Sequence, residues 1–133
     1  MTRPEPKTAP PAPELVTIPA SETGVLRIDL DAIAGNWRSL SDQVRPAECG
    51  AVVKADAYGL GIARVLPALV AAGCKSFFVA TPGEATEARA IDGSARIFVL
   101  DGLFPGAADA VLGAAAIPCL ASLAEVEEWS AHA

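Results

Sequence analysis

Hydrophobic residues in this chain cluster in short continuous runs, and more polar, amphipathic stretches separate them. The runs lie at 51–54, 76–80, 96–100 and 116–120. They lack the alternation of apolar and polar residues that a half-exposed strand shows, and such continuous runs are typical of parallel strands covered on both faces. The pattern therefore predicts four parallel β-strands at these positions and a further short strand at 25–28.

Helical periodicity fills the stretches outside these runs. Asp29 stands where a carboxylate can accept hydrogen bonds from the first turn of a helix. A second helical pattern follows Gly61 but contains Pro67, so we expect this helix to start late or to be kinked. The first helix carries apolar residues at steps of three and four, namely Leu30, Ile33, Trp37, Leu40 and Val44.

Two later helices begin with a recognisable capping pattern. Thr81 and Glu84 stand three residues apart, as do Ser122 and Glu125. A hydroxyl residue followed by a glutamate at this spacing forms a capping box at a helix N-terminus. A weaker helical segment lies at 107–112. Each of the four long apolar runs is therefore followed by a predicted helix, which is the pattern of a βα repeat.

Alternating strands and helices predict an α/β fold with a parallel sheet. A complete (β/α)8 barrel needs about 250 residues, whereas this chain has 133 and offers four βα units. We therefore expect residues 21–133 to form the N-terminal half of a (β/α)8 TIM-type barrel, that is, a truncated domain. Residues 1–20 contain six of the eleven prolines, which lack the N–H donor of regular structure, so we expect a disordered Pro-rich tail there.

Composition and charge argue against several classes of function. The net charge of −6 leaves no basic stripe for nucleic acid, and no apolar stretch approaches the roughly 18 residues of a membrane-spanning helix. The three cysteines fit no metal-ligand spacing. Without an apolar signal-peptide segment, they indicate reduced thiols in the cytoplasm. We expect a cytoplasmic protein that binds no nucleic acid, no membrane and no metal ion.

Lys54 is the residue that points most directly to chemistry. It ends an apolar run, and parallel α/β folds place their reactive groups at the carboxyl ends of strands. An amine against an apolar wall is partly desolvated, which disfavours its charged form, and a neutral amine can add to an aldehyde to form a Schiff base. Residue chemistry alone leaves a second interpretation open, in which the lysine extends from the sheet rim into water.

The residues around Lys54 are similar to a known signature. The run Ala51-Val-Val-Lys-Ala-Asp-Ala-Tyr-Gly59 closely resembles the pyridoxal-phosphate motif of alanine racemases. The resemblance implies that Lys54 is the catalytic lysine that binds pyridoxal 5'-phosphate covalently, and that Tyr58 binds the phosphate of this cofactor. Further similar segments lie at 27–33, 77–85 and 98–102.

Three neighbours of the lysine qualify this resemblance. Leu60 departs from the motif, because many members of the family have histidine there. Without the motif, Tyr58 would be interpreted as a core residue whose hydroxyl bonds to the backbone. Asp56 is interpreted as a turn or cap residue without a catalytic role.

The resemblance also implies what the whole protein does. Alanine racemases are isomerases that interconvert L-alanine and D-alanine, and D-alanine supplies the peptidoglycan of the bacterial cell wall. The implied assembly is a homodimer with shared active sites, in which the cofactor lysine serves one face of the substrate and a tyrosine from the partner's C-terminal β domain serves the other. Tyr58 is the only tyrosine of this chain, so we expect an incomplete form that is inactive alone.

Two other interpretations stay open at this point. One is a different pyridoxal-phosphate barrel, such as a cofactor-homeostasis protein or an amino-acid decarboxylase, which the sequence Ala-Asp-Ala-Tyr-Gly after the lysine disfavours. The other is a non-enzymatic product of a truncated gene. A reading frame that continues into four more βα units and a β domain would favour an active racemase over this last interpretation.

Overall fold

Four parallel strands form a single sheet in the computed structural model of the chain, which describes residue 21 and residues 23–132. The α/β alternation and all four predicted strands are confirmed. The tail expected at 1–20 lies outside the described residues and stays a prediction. In chain order the elements are α1 (Leu30–Gln43), β1 (Ala51–Val52), α2 (Lys54–Gly59), α3 (Ile62–Ala72), β2 (Ser76–Val79), α4 (Pro82–Ile91), β3 (Arg96–Val99), α5 (Ala108–Gly113), β4 (Ile117–Pro118) and α6 (Leu123–His132).

The strands lie side by side in chain order, β1-β2-β3-β4. Their register places Val52 beside Phe78, Phe78 beside Phe98, and Phe98 beside Ile117. At least one helical segment separates each strand from the next along the chain, as parallel pairing requires. The sheet therefore brings the carboxyl ends of all four strands to one rim.

One face of the sheet packs beneath the helices. Because side chains alternate between the two faces of a strand, every second residue of β2 and β3 enters this core. Helix residues such as Leu66, Ala85 and Val111 belong to the same buried cluster. The strand residues with no exposed surface are Phe77, Val79, Ile97 and Val99.

The opposite face of the sheet, which we call the open face, carries the row Val52, Phe78, Phe98 and Ile117. Phe78 and Phe98 stack with their ring centroids 4.9 Å apart and are half-buried. Val52 and Ile117, at the two edges, are each 45% exposed. Residues in these positions would fill the interior of a closed barrel.

The three predicted N-caps are confirmed. In each, a side-chain oxygen of the cap residue accepts a hydrogen bond from a backbone N–H three residues on, which satisfies one of the free donors of the first turn. The pairs are Asp29 Oδ1 with Ala32 N (2.9 Å), Thr81 Oγ1 with Glu84 N (3.3 Å) and Ser122 Oγ with Glu125 N (3.2 Å).

One local prediction is wrong, and one of the two alternatives given for the helix after Gly61 is ruled out. Residues 25–28 form no strand, because no strand among the described residues lies beside them, and an extended segment without a ladder partner gains no sheet hydrogen bonds. The helix after Gly61 does not start late: α3 begins at Ile62 and continues past Pro67. Its buried apolar face, which includes Leu66 and Leu69, stabilises a helix that the proline alone would disfavour.

Candidate active site

Lys54 lies at the carboxyl end of β1, at the rim where the sequence placed it. The preceding residue, Val53, donates its N–H to the carbonyl of Phe78 at 2.8 Å, so the contact with β2 continues up to the lysine. Val53 is buried at 1% exposure, whereas Lys54 is half-buried. The lysine therefore stands at the boundary between the apolar core and solvent.

In the described part of the chain, neither the amine of Lys54 nor the hydroxyl of Tyr58 bonds to another protein group. Among the described residues, no carboxylate forms an ion pair with Lys54, and neither side chain has a hydrogen-bond partner. Tyr58 is 63% exposed, so the interpretation of this tyrosine as a core residue is wrong. The two groups lie four residues apart and are available to contact a ligand at the rim.

The residues after the lysine, which make up most of α2, form a left-handed turn and not a right-handed helix. Ala55, Asp56, Ala57 and Tyr58 have φ angles of 52°, 53°, 53° and 56°. Left-handed helical conformation costs L-residues roughly 1–2 kcal/mol each, and none of the four is glycine. Backbone strain of this kind persists only where surrounding contacts enforce it, and it clusters at functional sites.

Hydrogen bonds to residues just before and just after this turn hold part of it in place. The N–H of Ala57 donates to the carbonyl of Val53 at 2.9 Å, and Ala57 is only 3% exposed. Asp56 Oδ1 accepts a hydrogen bond from the N–H of Ile62 at 2.7 Å, and the Asp56 carbonyl accepts one from Gly61 at 2.9 Å. The prediction that Asp56 is a turn or cap residue is confirmed, since it lies in the turn and its side chain accepts the first N–H of α3.

Glu84, from the following βα unit, holds the other end of the turn. One carboxylate oxygen, Oε1, accepts from the N–H of Ala55 at 2.8 Å, and Oε2 accepts from the N–H of Ala80 at 2.7 Å. The capping box of the sequence identified Glu84 as a partner of Thr81, and the family resemblance at 77–85 assigned it no role. Its contact with Ala55 crosses 29 residues and joins two loops, so no local pattern could have revealed it.

Substitutions at Ala55 test the left-handed turn. We expect Ala55→Gly to stabilise the chain by about 0.5–1 kcal/mol, since the relief of the roughly 1–2 kcal/mol conformational penalty exceeds the extra unfolded-state entropy of glycine. Ala55→Val should destabilise it by about 1 kcal/mol or more, because a β-branched residue is worse suited to positive φ. Urea denaturation of the two variants measures both changes. Equal losses in both would contradict a left-handed Ala55.

Other candidate groups lie away from this rim or carry no reactive signature. Cys74 is 3% exposed, and burial raises the pKa of its thiol, which disfavours the nucleophilic thiolate. Within residues 21 and 23–132, no group of three His, Cys, Asp or Glu residues is placed to hold a metal ion. No helix in that same part of the chain is long and apolar enough to cross a membrane.

Comparison with known proteins identifies the family. Residues 28–133 match the family described as alanine racemase, N-terminal domain. The chain belongs to this family. An alanine racemase of Methylobacterium nodulans is 49% identical over 115 residues, which cover 86% of this chain and 31% of that protein. An alanine racemase of Methylobacterium sp. (strain 4-46) is 54% identical over 106 residues, which cover 80% of this chain and 29% of the relative.

Solved structures of the family agree with the fold. Alanine racemase from Bartonella henselae, crystallised with covalently bound pyridoxal phosphate, superposes with a TM-score of 0.76 at 42% identity, over 79% of this chain and 30% of that one. The alanine racemase of Corynebacterium glutamicum gives a TM-score of 0.68 at 36% identity, over 75% and 30%. The predicted family and the partial α/β barrel are therefore confirmed. The chain spans only about 30% of the length of the curated relatives it matches.

Proposed function

We propose that this chain supplies the cofactor-holding part of a pyridoxal-phosphate-dependent alanine racemase, with Lys54 as the lysine that binds the cofactor. The observation that carries the proposal is the position of Lys54: this residue is half-buried at the carboxyl end of a parallel strand, and its amine has no partner among the described residues. A group in this position is suited to react with a ligand rather than to stabilise the fold.

The residues at the rim fit two groups of pyridoxal phosphate, its aldehyde and its phosphate. Its aldehyde requires an amine that is not held in an ion pair, and Lys54 has none among the described residues. Its phosphate requires hydrogen-bond donors, and the exposed hydroxyl of Tyr58 is one. The left-handed turn holds both side chains on one short segment, so a single rigid loop would present the amine and the phosphate donor together.

The chemistry of the proposed reaction divides between cofactor and protein. When bound, pyridoxal phosphate withdraws electrons from the Cα of an amino acid and makes its Cα proton acidic. The neutral amine of Lys54 would accept or return this proton on one face of that carbon. Inversion also requires a proton on the other face, which we assign to a group outside this chain's described residues.

The proposal also includes the substrate, the assembly and the cellular role of the whole protein. We infer alanine as substrate, a homodimer with shared active sites, and a cytoplasmic role in supplying D-alanine for peptidoglycan, with residues 21–133 as the first part of the barrel domain. The support for these inferences is the family of the chain and the names of its relatives. They concern the whole protein, of which this chain matches a part.

Chemical trapping of the cofactor on individual lysines tests the proposed role of Lys54. The purified chain is mixed with pyridoxal phosphate and reduced with borohydride, and its peptides are analysed by mass spectrometry. The chain has three lysines, Lys7, Lys54 and Lys75, and we expect the pyridoxyl group mainly on Lys54. Labelling of Lys75 to the same extent would contradict the proposal. Racemisation itself is measured as D-alanine formed from L-alanine by the protein that carries this chain.

The role of Tyr58 is tested with Tyr58→Phe. Loss of a hydrogen bond to a charged phosphate should weaken cofactor binding by about 1.5–3 kcal/mol, which is roughly a 10- to 150-fold increase in Kd. Pyridoxal, which lacks the phosphate, is the matched control ligand, and its affinity should not change. If the variant binds pyridoxal phosphate as tightly as the unaltered chain does, Tyr58 is not a phosphate ligand.

A further inference from the structure

We propose that Glu84 is a positioning residue for Lys54: its carboxylate fixes the peptide that follows the lysine and thereby sets the direction of the amine toward the cofactor. This inference rests on the proposed function. It assigns a role to a residue that forms neither an ion pair nor a hydrogen bond with the amine of Lys54, and that the local sequence pattern explains only as a helix cap.

The backbone on both sides of Lys54 is anchored. The peptide before it is held through the carbonyl of Val53, which accepts a hydrogen bond from the N–H of Ala57 at 2.9 Å. The peptide after it carries the N–H of Ala55, which donates to Glu84 Oε1 at 2.8 Å. The Cα of Lys54 lies between these two peptides, so together they fix the direction in which its side chain leaves the backbone. Glu84 supplies the second anchor.

Glu84 is itself held firmly enough to act as an anchor. It occupies the first turn of α4, where its own N–H donates to Thr81 Oγ1 at 3.3 Å. Its second oxygen, Oε2, accepts from the N–H of Ala80 at 2.7 Å. Because each carboxylate oxygen receives an N–H donor, a neutral amide would not substitute: glutamine offers one oxygen and would turn its NH2 group toward the other donor.

A second glutamate joins two neighbouring loops one pair of strands further on, although it uses one carboxylate oxygen for both loops rather than one for each. Glu125 Oε2 accepts from the N–H of Ala121 at 2.9 Å and from the N–H of Leu103 at 3.1 Å, so it joins the loops after β3 and β4. These hydrogen bonds lower the pKa of the Glu125 carboxyl. Both glutamates thus join two neighbouring loops at the rim, but only Glu84 contacts the residue next to the lysine. Glu125 is therefore a control for the substitution of a rim glutamate that does not adjoin the lysine.

The test compares Glu84→Gln with Glu125→Gln in the full chain. Each variant is reacted with pyridoxal phosphate and borohydride, and separately with formaldehyde and borohydride. Formaldehyde is small and reports access to an amine, whereas pyridoxal phosphate also requires the amine to be correctly directed. The readout is the ratio of labelling at Lys54 to labelling at Lys75 within the same molecules, which cancels differences in protein amount. Glu84→Asp is the second variant, for use if Glu84→Gln fails to fold by circular dichroism.

We expect Glu84→Gln to lower the pyridoxal-phosphate ratio by about ten-fold, the effect of losing one hydrogen bond to a charged group, and to leave the formaldehyde ratio unchanged. Glu125→Gln should change neither ratio. An unchanged pyridoxal-phosphate ratio in Glu84→Gln overturns the inference and leaves the proposed function intact. An equal fall with both reagents, or in both variants, also overturns it, since the role would then be general stability. Failure of the unaltered chain to label preferentially at Lys54 overturns the proposed function instead.

Discussion

Lys54→Ala will abolish the covalent attachment of pyridoxal phosphate at this site, and with it any alanine racemisation by the protein that carries this chain. The reason is chemical: attachment requires a primary amine at the rim, and the other lysine of the described residues, Lys75, precedes β2 at the opposite end of the sheet. The loss should be complete within detection, because in the part of the chain that the structure describes no other lysine lies at this rim to act as the nucleophile toward an aldehyde. Visible absorbance of the protein after removal of free cofactor measures attachment.

Two variants control for indirect effects of this substitution. Lys75→Ala removes a lysine of the same chain and should leave the absorbance and the trapped label at Lys54 intact. Lys54→Arg keeps a positive charge in the same place, yet its guanidinium stays protonated and does not form a stable Schiff base, so it should behave as Lys54→Ala does. A visible band of unchanged intensity in Lys54→Ala would show that a different lysine holds the cofactor, and the proposed function would fail.

The strands could be predicted from the sequence because their apolar residues point to both faces, the helix-covered face and the open face, and this leaves a local mark. A run such as Phe77-Phe78-Val79 has no polar interruption, which is typical of a parallel strand. The helix caps are local for the same reason: a cap and its partner N–H are three residues apart. The position of Lys54 followed from the strand, since strand ends and site positions coincide in this fold class.

The left-handed turn and its anchor could not be predicted in this way. Alanine and aspartate have no preference that indicates four successive positive φ angles, so the conformation of Ala55 is decided by contacts that the local sequence does not contain. One of these contacts is the carboxylate of Glu84, 29 residues away. The wrong strand at 25–28 has a related cause, because a strand depends on a neighbour that periodicity cannot supply.

Phe77→Ala should have the largest effect on stability of the substitutions considered. Phe77 has no exposed surface and is among the largest fully buried side chains of the described residues. Truncation of a buried phenylalanine removes its apolar contacts and leaves a cavity, at a cost of about 3–5 kcal/mol. A domain of this size is stable by roughly 5–15 kcal/mol in total, so we expect a large fall in the urea midpoint. Because Phe77 pairs with Ala51 of β1, the strand that carries Lys54 should loosen as well.

Phe78→Ala is the matched control, since it removes the same side chain from the next residue of the same strand. Phe78 lies on the open face, half-buried against Phe98 at a ring-centroid distance of 4.9 Å. Its loss should cost less, about 1–2 kcal/mol, because part of its surface is already in contact with water and the aromatic contact itself contributes about 0.5–1.5 kcal/mol. Equal costs for the two substitutions would mean that the sheet is covered on both faces in the chain of 133 residues. A larger cost at Phe78 than at Phe77 would reverse the assignment of the helix-covered and open faces, and with it the side of β1 on which a barrel interior would form.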